Sequence, residues 1–136
     1  MANHENDVPE DRLYTPEHEW LLTEDGVARV GLTGYAQEEL GDIVFVDLPA
    51  SGTEVSFMGK LGEVESVKVA SEIFSPAAGE IASINEKLHD APELVNQDPY
   101  GEGWLVTIRL AGPAAQELMD AAGYRELIAR LRGESS

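Results

Sequence analysis

Reactive chemistry in this sequence starts with its lysines, because there are only three: Lys60, Lys68 and Lys87. Lys68 stands between two runs of strand character, Leu61-Gly62-Glu63-Val64-Glu65-Ser66-Val67 and Val69-Ala70-Ser71-Glu72-Ile73-Phe74. A reversal at Lys68 puts a primary amine on a flexible four-carbon stem at the tip of a hairpin. Such an amine can be acylated, and a group attached there swings among docked active sites at raised effective concentration. A plain surface lysine in a turn fits the same residues and is the commoner case.

Other reactive constellations are missing. Cysteine is absent, which excludes a disulfide framework, a thiolate zinc site and a cysteine nucleophile. His4, His18 and His89 are far apart and lack metal-ligand spacing, so no metal is expected. No Ser-His-Asp set or acid–base pair stands out, so no catalytic residue is assigned and the chain is not expected to be an enzyme. Tyr100-Gly101-Glu102-Gly103 reads as a turn with permissive backbone, too short for a phosphate loop.

The charge narrows the partners. Nine Lys+Arg against 26 Asp+Glu leave a net −17 over 136 residues. Such a surface repels phosphate backbones and anionic membranes, so neither nucleic acid nor membrane is expected as a partner. It suits basic docking faces, although solubility alone would also explain it. No apolar run is long enough to cross a bilayer. The first residues show neither signal-peptide nor transit-peptide character, and a cytoplasmic protein is the simplest expectation.

The elements that must position Lys68 read as mainly β. Strand character covers 12–14, 18–22, 27–32, 43–46, 54–57, 61–67, 69–74, 80–84 and 104–110. Asp25-Gly26 signals a tight hairpin. Ile43-Val44-Phe45-Val46 is apolar throughout and predicts a buried strand. Thr33 and Gly41 bracket a short helix near 34–40 as cap and stop. Residues 85–103 read as a long loop, with at most one helical turn near Pro92. Spacing after Pro113 predicts a helix that breaks at Gly123 and a second through Leu131, placing C-terminal helices near 113–132. Residues 1–11 are expected as a flexible tail, 12–132 as one domain and 133–136 as a frayed end. Gly41-Asp42-Ile43 is echoed by Gly79-Glu80-Ile81, 38 residues later, as in two similar strand units with Lys68 between them.

Glu65-Ser66-Val67-Lys68, followed by Ser71-Glu72-Ile73-Phe74-Ser75-Pro76, resembles the lipoyl-attachment segment of the glycine cleavage system H-protein family. Further blocks match in the same order: Tyr14-Thr15-Pro16-Glu17-His18-Glu19-Trp20, Gly31-Leu32-Thr33, Tyr35-Ala36-Gln37, residues 40–46 with Leu48-Pro49, Leu94-Val95-Asn96, and Asp98-Pro99-Tyr100-Gly101. The resemblance covers about residues 12–131. It implies a lipoyl-domain-like antiparallel hybrid of barrel and sandwich, acting as a monomer. It implies lipoic acid in amide linkage to Lys68, with Glu19 and Glu72 lining the cleft that shelters the aminomethyl-loaded arm. The family commonly has Asp where Glu72 stands and a small residue where Val69 stands. The implied partners are glycine decarboxylase (P protein), aminomethyltransferase (T protein), dihydrolipoamide dehydrogenase (L protein) and a lipoyl-attaching enzyme. The resemblance implies a carrier that takes the aminomethyl group of glycine from the pyridoxal-phosphate decarboxylase to the tetrahydrofolate-dependent aminomethyltransferase and is then reoxidised. A relay donating lipoyl groups to 2-oxoacid dehydrogenases would use the same residues, and an unmodified acidic interaction module would use none of them.

Overall fold

The computed structural model describes residues 6–113 and 117–133. Among these residues nine strands form two antiparallel sheets. The larger has the order β1-β2-β3-β9-β8-β5, from β1 (Leu13–Tyr14), β2 (Glu19–Glu24), β3 (Val27–Leu32), β9 (Val106–Leu110), β8 (Gly79–Ile84) and β5 (Glu54–Val55). The smaller has the order β4-β6-β7, from β4 (Ile43–Asp47), β6 (Lys60–Ser66) and β7 (Ala70–Phe74). The two echoed segments open β4 and β8, one in each sheet.

Local chemistry explains most of these elements. Asp25 and Gly26 both take positive φ, 53° and 79°, as a two-residue turn with the right twist requires, and they close Glu24 onto Val27. The Thr33 hydroxyl accepts the Ala36 amide at 3.1 Å and caps α1 (Gly34–Leu40), and Gly41 ends it at φ 83°. Two short helices, α2 (Lys87–Asp90) and α3 (Leu94–Gln97), occupy part of the expected long loop.

The main core lies between the sheets. Val30, Leu32, Ile81, Val106 and Ile108 from the larger sheet meet Ile43, Val46, Leu61, Val64 and Ile73 from the smaller. A second cluster joins Tyr14, Trp20 and Tyr35 to Tyr124 and Ile128 of α4 (Ala121–Leu131). There the Tyr14 and Tyr124 rings stack at 4.7 Å. Trp20 is fully buried and donates from Nε1 to the Leu32 and Pro99 carbonyls, both at 3.0 Å. Gly31 makes room for it, because a Cβ at that position would lie 2.5 Å from the indole.

Three expectations change. Among the described residues one C-terminal helix stands where two were expected: Gly123 lies inside the first turn of α4, where its amide donates to the Asp120 carboxylate at 2.9 Å. Met119 is instead drawn into an extended bridge with Tyr14, while residues 114–116 of the expected first helix lie outside the described residues. The expected free tail is packed from residue 6 onward. Val8 is buried, the Pro9 carbonyl accepts the Tyr14 hydroxyl at 2.5 Å, and Glu10 pairs with Arg125. Residues 1–5 of that tail, with His4, and residues 134–136 of the expected frayed end lie outside the described set. Finally, β4 is not buried throughout: Val44 and Phe45 face outward.

The Trp20 cluster yields a check on packing. Gly31→Ala should lower the unfolding free energy by about 1–3 kcal/mol, the usual cost of overfilling a core. Urea denaturation followed by tryptophan fluorescence reads it, and an unchanged midpoint would show that the indole has room to spare.

Candidate functional site

Strands β6 and β7 pair from Lys60 opposite Phe74 to Glu65 opposite Ala70, so the chain reverses over residues 66–69. No glycine or proline makes this turn. Ser66 makes it: its amide donates to the Val69 carbonyl at 2.8 Å, and its hydroxyl oxygen accepts the amides of Lys68 and Val69, each at 3.1 Å. The Val67 amide donates to the Asp42 carbonyl at 3.0 Å and fastens the tip to the chain entering β4. Lys68 is exposed at this tip.

The stem of Lys68 runs past Gly41. A Cβ on Gly41 would stand 3.2 Å from Lys68 Cε and 3.6 Å from Cδ, and φ 83° already disfavours any side chain there. Asn96 of α3 fixes this corner. Its Nδ2 donates to the Gly41 carbonyl at 2.9 Å and to Gln37 Oε1 at 3.0 Å, while its Oδ1 accepts the Ile43 amide at 2.8 Å. One amide side chain thus joins α1, the Gly41 turn and β4 directly behind the lysine.

A cleft of about 130 Å³ opens between α1 and β7. Ala36, Glu39 and Leu40 line one side, Ser71, Glu72 and Ile73 the other, and Glu17, His18 and Glu19 close it. Glu19 is 1% exposed. Its carboxylate accepts the Thr15 hydroxyl at 2.5 Å and the Phe74 amide at 3.2 Å. Burial disfavours its charged form and raises its pKa to about 7, against the opposing pull of those two hydrogen bonds. Glu72 is half-exposed at the edge, 3.6 Å from the Lys60 ammonium. His18 takes φ 74°, and its Nδ1 lies 2.8 Å from the Tyr124 hydroxyl, which lies 2.7 Å from the Thr33 hydroxyl. Burial lowers the His18 pKa, which favours a neutral ring. Through this chain of contacts α4 is tied to the wall of the cleft.

Glu19 and Glu72, singled out in the sequence, therefore line one cleft, and Lys68 stands on the hairpin whose second strand forms its side. Glu39 carries no comparable sequence signal, and Glu17, Gly41 and Asn96 lie in the matched blocks with no place in the site assigned to them. Acids are common throughout this chain, and the contacts of Asn96 span 53 to 59 residues of sequence. Among the described residues no group of His, Asp and Glu side chains could hold a metal ion, and no helix is long and apolar enough to cross a membrane.

A family profile described as "Glycine cleavage H-protein" matches residues 12–130. The chain is 56% identical over 124 residues to a glycine cleavage system H protein of Chlorobium limicola, covering 89% of this chain and 97% of the relative. It is 50% identical over 123 residues to one of Thermus thermophilus, covering 90% and 96%. A crystal structure of a glycine cleavage system H protein from Mycobacterium marinum superposes with a TM-score of 0.82 at 42% identity, covering 93% of this chain and 99% of that one.

Two measurements check the site. Asn96→Ala leaves the Ile43 amide and Gly41 carbonyl without their partner and should cost about 1–3 kcal/mol in urea unfolding; a smaller loss would show that water replaces the amide. Glu19 titrates higher when folded than its ordinary 4.5, so its contribution favours folding below pH 4.5 and is lost as pH rises through about 7. Glu19→Gln keeps the shape and removes the titration. The stability of the variant relative to the original chain should rise by about 3 kcal/mol between pH 4.5 and 8, and a flat difference would show that Glu19 is ionised as easily as a surface acid.

Proposed function

The chain belongs to the glycine cleavage H-protein family, and on that premise we propose that it is the lipoyl-lysine carrier of glycine cleavage, with lipoic acid in amide linkage to Lys68. The observation that carries this reading is the position of Lys68, exposed at a turn held by Ser66 and fastened to Asp42, its stem laid beside Gly41, whose φ of 83° disfavours any side chain. The residues present fit the group. The amine is accessible for acylation, and Gly41 leaves the stem a path along α1, whose Leu40 and Ala36 lead into the cleft.

When bound, the lipoyl disulfide supplies thiol–disulfide chemistry and a sulfur that accepts the aminomethyl group of glycine. The chain's own residues hold and shelter. Acylation removes the Lys68 charge, so the stem can lie against apolar surface without desolvating an ammonium. Leu40, Ile73 and Ala36 give the cleft its apolar lining. Glu19 waits at its closed end, partly protonated near neutral pH. An ammonium brought into the cleft favours its ionised form and gains a charge-assisted hydrogen bond. Glu72, already beside Lys60, supplies a second carboxylate at the mouth. The carrier performs no reaction step with its own side chains. Its partners on this reading are glycine decarboxylase, aminomethyltransferase, dihydrolipoamide dehydrogenase and the lipoyl-attaching enzyme.

Co-expression with a lipoyl-attaching enzyme tests the assignment. Intact mass spectrometry should find one lipoyl group on the original chain and none on Lys68→Arg. A lipoyl group on the variant, or none on the original chain, would remove Lys68 from its role.

A further inference from the structure

Three residues from distant parts of the chain close a hydrogen-bonded circuit beside the cleft. The Thr33 amide donates to the His18 carbonyl at 3.0 Å. The Thr33 hydroxyl lies 2.7 Å from the Tyr124 hydroxyl, and that hydroxyl lies 2.8 Å from His18 Nδ1. Tyr124 reaches 91 residues back to Thr33 and 106 back to His18, so α4 takes part in a site built by the first third of the chain. The circuit holds His18 at φ 74°, a region that a Cβ disfavours. The His18 amide is fixed on the Thr15 carbonyl at 3.1 Å, and its ring sits 4.8 Å from that of Tyr35 and 5.8 Å from that of Tyr124. Backbone strain of this kind persists where the surroundings over-determine it, and it gathers at functional sites.

Burial fixes the direction of the protons. Thr33 is fully buried, and its hydroxyl oxygen already accepts the Ala36 amide. Among the described residues the Tyr124 oxygen is the one acceptor within reach of the Thr33 proton. A buried hydroxyl proton without a partner is costly, so Thr33 donates to Tyr124 and Tyr124 donates to His18 Nδ1. The ring proton of His18 then belongs on Nε2. Burial also disfavours a charged ring. Nε2 has no partner among the described residues, yet no buried side-chain nitrogen there lacks one, so Nε2 is open to water. His18 lines the cleft, whose charged groups are Glu17, Glu19, Glu39 and Glu72; among the described residues no lysine or arginine lines it.

We propose that Tyr124 of α4 is a positioning residue for the sheltered arm: backed by Thr33, its hydroxyl holds His18 as an uncharged Nε2–H donor on the wall of the cleft. An imidazolium there would oppose an incoming ammonium. A neutral donor does not, and it suits an acceptor atom of the arm such as a lipoyl sulfur. The carboxylates then take the cation while His18 takes the acceptor. Without the Tyr124 hydroxyl, Nδ1 loses its donor and the ring proton is free to settle on either nitrogen. The loaded arm is held less firmly and meets water sooner. Water breaks its carbon–sulfur bond: the sulfur takes a proton, and the aminomethyl group leaves as formaldehyde and ammonium. The inference rests on the carrier reading and adds the residue through which the C-terminal helix governs the cleft.

The test has two readouts, both on the full chain. Nitrogen-15 NMR of the imidazole at neutral pH should find His18 protonated on Nε2 and bare on Nδ1. Tyr124→Phe and Thr33→Ala should each give a mixture of the two tautomers, and Thr33→Ser should keep the original one. Ile128→Ala, which loosens the packing of α4 without touching the circuit, should lower the urea midpoint and leave the tautomer unchanged. For the second readout, lipoylated protein confirmed by intact mass is loaded from glycine labelled at its α-carbon by the glycine-decarboxylating component and separated from it. Tyr124→Phe should release labelled formaldehyde roughly threefold faster or more, the worth of one hydrogen bond. Should Tyr124→Phe fail to fold, Thr33→Ala is read in its place. An original chain protonated on Nδ1, or a folded variant with either tautomer or release rate unchanged, would overturn this role for Tyr124 and leave the carrier reading intact. An original chain that takes no lipoyl group would overturn the carrier reading, and with it the role toward the arm.

Discussion

One turn without glycine or proline carries the rest of this structure, and a serine hydroxyl holds it. Ser66 accepts the amides of Lys68 and Val69, and the Asp42 carbonyl takes that of Val67. Backbone donors at an exposed tip would otherwise turn to water and leave the turn free to change shape. Held in this way, the turn is fixed to the chain entering β4, and the side chain of Lys68 extends from it into solvent. A carrier needs that separation: a stiff base that partners can recognise and a flexible arm that they can draw in.

Asn96 extends the constraint to the cleft. By joining Gly41, Gln37 and Ile43 it sets the end of α1 and the start of β4 with one group. Gly41 must then take its left-handed conformation beside the lysine stem, and the bulge in β4 follows within three residues. The cleft and the outward-facing Val44 and Phe45 thus share one corner of the fold. At the far side of the cleft Glu19 stores an electrostatic imbalance, a carboxylate with two hydrogen-bond donors and no positive partner among the described residues, held close to its titration point at neutral pH.

Much of this was legible in the sequence where local chemistry decides the structure. Asp25-Gly26 specifies its hairpin through two positive φ values, Thr33 and Gly41 bracket α1, and alternation places Val106 and Ile108 inward on β9. Lys68, Glu19 and Glu72 were marked by the family resemblance, and the matched residues 12–130 contain all three. The parts that escaped are set by tertiary contacts. The apolar run at 43–46 looks buried because hydrophobicity cannot show a register slip. Gly123 looks like a helix breaker, yet Asp120 caps its amide and Tyr124 anchors the following turn by stacking on Tyr14. The polar segment before Leu13 looks free, yet Val8 and Glu10 find partners on α4, more than a hundred residues away. Asn96 makes its contacts across more than fifty residues, beyond the reach of any periodicity.

The central claim is that the fold singles out one of three lysines for its cargo. Tryptic peptide mapping of protein purified from lipoate-producing cells tests it most directly. The account predicts a lipoyl amide on Lys68, no cleavage after that residue, and free amines on Lys60 and Lys87. A free amine at Lys68, or a lipoyl group on either of the other two, would contradict it.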